Sequence, residues 1–134
     1  MGKFLQLESD VFSIFGSDAW KAEQIQTYPS NFIPKTFGTE FIRVSILASG
    51  NGVNLKSVTG MIIVDIFTLA GKGPRAATII ADKLDEYLVG KSLETVSGQC
   101  VQLMHSSFTH KEVDKDDPTL YSSSYTIIFK YFGV

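Results

Sequence analysis

Cysteine is almost absent from this chain of 134 residues, and so are histidine and any excess of basic charge. A lone Cys100 closes no internal disulfide and builds no Cys-rich zinc site. Such usage suits a reducing compartment. The longest apolar run, Met61 to Phe67, is broken by Asp65 and falls far short of the roughly 20 residues that a spanning helix needs. The opening Met1-Gly2-Lys3-Phe4-Leu5 lacks the apolar stretch and small-residue cleavage site of a secretory leader. Gly2 matches the start of a myristoylation motif, but Gln6 stands where that motif wants Ser or Thr. These absences predict a soluble intracellular protein. With 12 Lys and Arg against 14 Asp and Glu, the net charge is −2, which lacks the clustered basic face of a nucleic-acid reader. A protein that DNA merely passes stays compatible with it.

What remains is an ordinary globular composition, 44% hydrophobic and 19% charged, at a length that fits one domain. There is no internal repeat, and the only low-complexity tract is Ser122-Ser123-Ser124. Leu5, Leu7, Val11, Phe12, Ile14 and Phe15 fall at loosely helical spacing, and Gly16 ends the pattern. Ser17 to Gly38, with Pro29 and Pro34, reads as irregular chain around a short strand near Ile25. From residue 41 to 48 the chain alternates, with Ile42, Val44, Ile46 and Ala48 on one face and Arg43 and Ser45 on the other. Ser49-Gly50-Asn51-Gly52 then gives a loop. Met61 to Thr68 is a second strand, apolar on both sides, which predicts a central strand covered on both faces.

Gly71-Lys72-Gly73-Pro74 breaks that strand and opens a helix, with Pro74 in its first turn. Ala76, Ala77, Ile80, Ala81, Leu84 and Leu88 form its apolar stripe, and Asp82, Lys83, Asp85 and Glu86 occupy the remainder. Gly90 suits the position just past the end. Residues 99 to 110 alternate weakly, with Val101 and Leu103 set against Met104 and Phe108. Residues 111 to 118 form a charged turn, and Tyr121, Tyr125, Ile127, Phe129 and Tyr131 share one face of a last strand. The expected fold is α+β (mixed α/β): one domain over 1–134, with a largely antiparallel or mixed sheet of about four or more strands and an N-terminal and a central helix packed on it.

The residues that most often carry chemistry are Cys100, His105 and His110. In a straight strand Cys100 and His110 share a face but stand about 33 Å apart, and His105 faces the other way. No nucleophile–base pair forms at that distance, and no metal-ligand spacing is present. Gly71-Lys72-Gly73-Pro74-Arg75 is too short for a phosphate loop, and Pro74 removes a donor. A strand-to-helix turn is the better reading, with Lys72 and Arg75 a minor anion option. The acidic run Glu112, Asp114, Asp116 and Asp117 lacks the central Gly and terminal Glu of a calcium loop. Asp65, inside an apolar strand, is expected to pair with Arg43 on its neighbour. No catalytic, cofactor-binding or metal-ligating residue is therefore assigned. Ten Phe, five Tyr and one Trp exceed what one small core needs, and such a surplus points to a subunit interface.

One series of segments carries a resemblance. It runs from Pro34-Lys35-Thr36-Phe37-Gly38-Thr39-Glu40-Phe41-Ile42-Arg43-Val44 through Gly60-Met61-Ile62-Ile63-Val64-Asp65-Ile66-Phe67. It continues in Gly71-Lys72-Gly73-Pro74-Arg75-Ala76-Ala77, Ala81-Asp82-Lys83-Leu84 and the closing Tyr125-Thr126-Ile127-Ile128-Phe129-Lys130-Tyr131-Phe132. In this order the segments resemble the tail terminator (tail completion) proteins of long-tailed bacteriophages. Two departures stand out. Of the basic residue that precedes the central strand in that family, only Lys56 remains, and Ser17 to Ile33, with Trp20 and Tyr28, matches nothing in it.

The resemblance implies a non-enzymatic virion protein, assembled in the host cytoplasm and sited at the head-proximal end of the tail. It implies a homo-oligomeric ring, a hexamer in the tail, that caps the tube, stops its polymerisation and offers a surface to the head–tail connector. Its partners are then itself, the tail tube protein and the connector protein, with DNA passing its lumen unbound and no cofactor or membrane. Two other classes stay open: another virion ring protein of the tube or of head completion, and a small-molecule-binding α+β domain. Protruding loops are where a thin ring subunit reaches its neighbours. Lys56, on the loop from Ser49 to Thr59, and Glu112, Asp114, Asp116 and Asp117, on the turn from Lys111 to Pro118, are therefore the expected subunit or tail contacts.

Overall fold

A computed structural model of the chain describes residues 2–29, 40–71, 74–96, 98–113 and 119–133. The N-terminal helix α1 spans Lys3–Phe15 and buries Leu7, Val11, Ile14 and Phe15. A second, short helix α2, Asp18–Ala22, follows at once, because the Ser17 hydroxyl accepts the Trp20 backbone N–H at 3.3 Å and caps it. Strand β1, Thr27–Pro29, then lies parallel to β2, Phe41–Asn51. β2 turns back into β3, Val58–Leu69, which leads to helix α3, Arg75–Leu88. Strands β4, Ser92–Val96, β5, Gln99–Val113, and β6, Leu120–Phe132, complete the chain.

These strands make one six-stranded sheet in the order β1-β2-β3-β6-β5-β4, antiparallel everywhere except between β1 and β2. The expected mixed sheet with two packed helices is therefore present. The short strand expected near Ile25 is β1, two residues further on, while the sequence did not show α2 or β4, each of five residues. Pairing aligns Ile42, Val44 and Ile46 with Ile66, Val64 and Ile62, and those with Ser123, Tyr125 and Ile127. On this inner face the stripe Ala77, Ala81, Leu84 and Leu88 of α3 and the apolar side of α1 close a single core. Trp20 sits in it, edge-on to Phe15 at 5.2 Å and to Tyr87 at 5.1 Å, with its Nε1–H donated to the Thr27 hydroxyl at 2.9 Å.

Two expectations need correction. Strand β3 is central, but among the described residues no helix covers its outer face. Only the Phe67 end is buried there, stacked on Phe41 and joined by Leu120, while Met61 and Ile63 stay half-exposed. Cys100 and His110 do not share a face. A register shift between Leu103 and Ser106 inserts an extra residue, so Val101, Leu103 and Phe108 all face the core. The broken alternation of β5 was the trace of that bulge. Of the large exposed hydrophobic residues described only Phe4 is aromatic, while Phe32 and Phe37 lie outside the described residues.

Candidate assembly surface

The loop between β2 and β3 is small and tightly held. The Asn54 side-chain oxygen accepts the Lys56 backbone N–H at 2.8 Å and the Ser57 hydroxyl at 3.0 Å. Its amide nitrogen donates to the Gly133 carbonyl at 3.3 Å, and the Gly133 N–H returns a bond to the Ser57 hydroxyl at 3.1 Å. The Lys3 ammonium donates to the Leu55 carbonyl at 3.1 Å, tying in the start of α1. Backbone approach is so close that a Cβ on Gly133 would fall on the Lys56 carbonyl oxygen. Lys56 itself is exposed on this loop, as expected of a contact residue. Around it stand apolar side chains in water: Leu55 is 94% exposed, Val53 76%, Phe4 58% and Leu5 57%.

Glu112 is exposed near the end of β5, where its carbonyl accepts the Ser122 hydroxyl at 3.1 Å. Asp114, Asp116 and Asp117 lie outside the described residues. β6 relates the two regions: Tyr121 pairs with Val113 at one end, and Tyr131 with Val58 at the other. Ten strand residues separate those pairs by about 33 Å. Lys56 and Glu112 thus mark opposite ends of the sheet and do not come together within one subunit.

Beside the Glu112 end, Gly71, Pro74, His110 and Tyr121 line a cavity of about 400 Å³. There His110 Nδ1 lies 3.2 Å from the Ser123 hydroxyl, and the Tyr121 hydroxyl donates to the Lys111 carbonyl at 3.4 Å. The His110 ring is packed edge-on against Phe108 at 4.8 Å. Pro74 stands at the N-cap position of α3 without a side-chain bond to it, and exposed Arg75 follows, while Lys72 of the suggested anion turn lies outside the described residues. The outer face of the sheet offers a third surface, a row in which Leu47, Met61 and Ile128 are cross-strand neighbours. Below that row Arg43 stands opposite Asp65, with its guanidinium 5.0 Å from the Phe67 ring centre. Lys111 forms an ion pair with Asp65 at 3.4 Å.

Two titratable groups with displaced pKa values, Tyr125 and Lys83, fasten α3 to the sheet and to α2. Burial, and then the bond from its hydroxyl to Asp85 Oδ1 at 2.6 Å, push the Tyr125 phenol far above its ordinary value. The Ser106 hydroxyl donates to that same oxygen at 2.6 Å. Lys83 is raised by its bond and ion pair with Glu23 at 3.2 Å, which joins α3 to the end of α2. Among the described residues no three His, Cys, Asp or Glu side chains gather as metal ligands. No described helix is long and apolar enough to cross a membrane.

No family model and no curated protein matches the sequence. Solved structures do match the fold. One, with no stated function, superposes with a TM-score of 0.67 at 13% identity, over 96% of this chain and 94% of its own. Another is a chain from the virion of a native gene transfer agent particle, with a TM-score of 0.59 at 16% identity, over 93% of this chain and 92% of its own. A virion component has this fold. At such identities the likeness is one of architecture, and it spans nearly the whole of both chains, so the sheet and its flanking helices are shared as a unit.

The expected contacts Lys56 and Glu112 are thus real surface positions on separate ends. Sequence reasoning missed the apolar residues beside Lys56 and the cavity beside Glu112. Val53 and Leu55 were legible as two aliphatic residues inside a loop otherwise made of Gly, Asn, Lys and Ser. The cavity had no such signal, since its lining comes from three separate segments.

Proposed function

We propose that this chain is a structural subunit of a phage-like particle: a ring protein that caps the tail tube, halts its polymerisation and receives the head connector. The observation that carries the reading is the near full-length likeness to a virion chain, joined to the tail-terminator order of segments from Pro34 to Phe132. A ring subunit needs two unlike surfaces, one for each neighbour, because head-to-tail contacts close into a ring only when the patches differ. The two ends of this sheet are unlike: one presents exposed aliphatic residues with Lys3 and Lys56, the other a cavity with Glu112. Such a role makes and breaks no bond, so it asks for no catalytic group, cofactor or metal. Its partners are further copies of itself, the tube protein and the connector, with DNA passing the lumen, and its place is the head-proximal end of the tail.

The test is genetic and visual. Asp114, Asp116 and Asp117 are together reversed to Lys in the element that encodes the protein, and particles are examined by electron microscopy. The expected outcome is overlong or unattached tails with normally folded protein, because charge at a contact sets register and partner choice. Normal particles at normal yield would remove the acidic turn from the contact surface. An antibody against the chain distinguishes the competing ring proteins, decorating the head–tail junction for a terminator and the whole tail for a tube protein.

A further inference from the structure

We infer that Asn51 and Gly52 form a site of spontaneous covalent modification, where the folded chain converts its own asparagine to isoaspartate and aspartate with water as co-reactant. The inference stands apart from the ring reading and does not need it.

Of the three asparagines in the chain, only Asn51 precedes a glycine. It is the last residue of β2 and is exposed, and among the described residues its carboxamide has no hydrogen-bond partner. Gly52 lies just past the strand, and no described residue accepts its backbone N–H. Both reacting groups are therefore unengaged, in a fold whose backbone donors are otherwise paired or in water. Asn54 is the internal control. Its oxygen accepts the Lys56 N–H and the Ser57 hydroxyl, its nitrogen donates to Gly133, and the bulky Leu55 follows it.

The glycine serves packing. A Cβ on Gly52 would fall on the Ser57 backbone, so only glycine lets the loop turn this closely. The same bareness lets its nitrogen approach the neighbouring carboxamide. Extended Asn51 must rotate before a ring can close, and strand ends open more readily than strand centres. Its carbonyl accepts a long, exposed bond, 3.3 Å from the Thr59 hydroxyl. Once rotated, nucleophile and carbonyl belong to one short piece of chain, which gives the attack a high effective concentration.

The Gly52 nitrogen gives its proton to base and bonds to Asn51 Cγ, and the Cγ–Nδ2 bond breaks. The departing nitrogen takes a proton from water and leaves as ammonia. Water then opens the cyclic imide. Opening at Cγ leaves aspartate, and opening at the main-chain carbonyl leaves isoaspartate, whose main chain runs through the former side chain. Nothing is oxidised or reduced. Either product puts a carboxylate into the cleft of about 260 Å³ that Asn51 lines with Thr59, Lys130 and Phe132. Isoaspartate also lengthens the main chain just before the loop that carries Lys56.

The test ages the full chain in mildly alkaline buffer, with its fold followed by circular dichroism. Peptide mass spectrometry should find isoaspartate and aspartate at position 51 at least tenfold faster than any change at Asn54, with ammonia released in equal amount. In heavy-oxygen water each converted chain should take up one labelled oxygen there. Conversion should quicken as pH rises, and Asn51→Gln should abolish it, since the larger ring closes poorly. The isoaspartyl form, separated by anion exchange, should exchange the Lys56 amide hydrogen at least tenfold faster than the parent. An Asn51 that stays an amide while the folded chain ages, or that converts only in urea, overturns the site. So does conversion of Asn54 at the same rate, because bonded and unbonded carboxamides would then react alike. Unchanged exchange at Lys56 overturns the effect on the loop.

Discussion

Removing the hydroxyl of Tyr125 tests how the central helix is fastened to the sheet. Tyr125 is 1% exposed, and its hydroxyl donates to Asp85 Oδ1 at 2.6 Å. A hydrogen bond to a charged acceptor contributes about 1.5–3 kcal/mol net. Asp85 lies at the rim, where water reaches it and Ser106 still donates to it, so Tyr125→Phe should cost near the lower end, about 1.5 kcal/mol at neutral pH. The pH dependence gives a second, independent readout. The phenol is raised above its ordinary 10.0, chiefly by burial, so the unfolded chain loses this proton first as the solution becomes alkaline. Its contribution is intact below about pH 10 and is lost above it, by at most about 1.4 kcal/mol per pH unit and by less where water screens the Asp85 end. Phenylalanine has no proton to lose. Tyr87 and Tyr131, also raised by burial, are present in both proteins and cancel from the difference. Urea melts at about pH 7 and about pH 10.5 should therefore show the parent's advantage shrinking at the higher pH. Equal stability at neutral pH, or a gap that stays constant through pH 10, would refute the clamp.

Two further substitutions probe the core and the sheet. Leu84 is fully buried on α3, so Leu84→Ala should cost about 2–5 kcal/mol in denaturant melts, and a loss below about 0.5 kcal/mol would remove it from the core. A Cβ on Gly60 would fall on the Leu47 carbonyl oxygen and stand 3.1 Å from the Ala48 Cα, so Gly60→Ala should lower the melting point by forcing β2 from β3 beside its bulge. The expected cost is about 1–3 kcal/mol, and a variant as stable as the parent would mean that the β2 backbone yields freely.

Long elements were legible in the sequence because their patterns repeat often enough to stand out. α3 showed four turns of apolar stripe, and β6 showed Tyr125, Ile127, Phe129 and Tyr131 in strict alternation. Of the short elements, only β1 left a trace, as the strand expected near Ile25. α2 depends on one serine cap and on Trp20 reaching Phe15 and Tyr87, contacts that no local period encodes. β1 exists by its parallel pairing to Ile42–Val44. The expected two-sided burial of β3 misread Met61 and Ile63, since apolarity on a second face speaks equally of a partner molecule and of a helix. The charged contact positions were found by asking which polar loops protrude. That Leu55 is exposed on a firmly held loop follows from no local pattern, because Asn54, Lys3 and Gly133 hold that loop together.

The place of β6 between β3 and β5 bears on the birth of the protein at the ribosome. The β2–β3 pair and the β4–β5 pair emerge first, yet neither touches the other in the sheet except through β6. A nascent chain therefore holds two unjoined half-sheets with apolar faces until residues 120–132 are released, and only then can the domain fold as a unit. The start of β6 carries Tyr121, a wall of the cavity, and its far end leads to Gly133, an anchor of the Leu55 loop. The Leu55 loop and the cavity, at opposite ends of the sheet, thus both take their final form only when the last strand is in place.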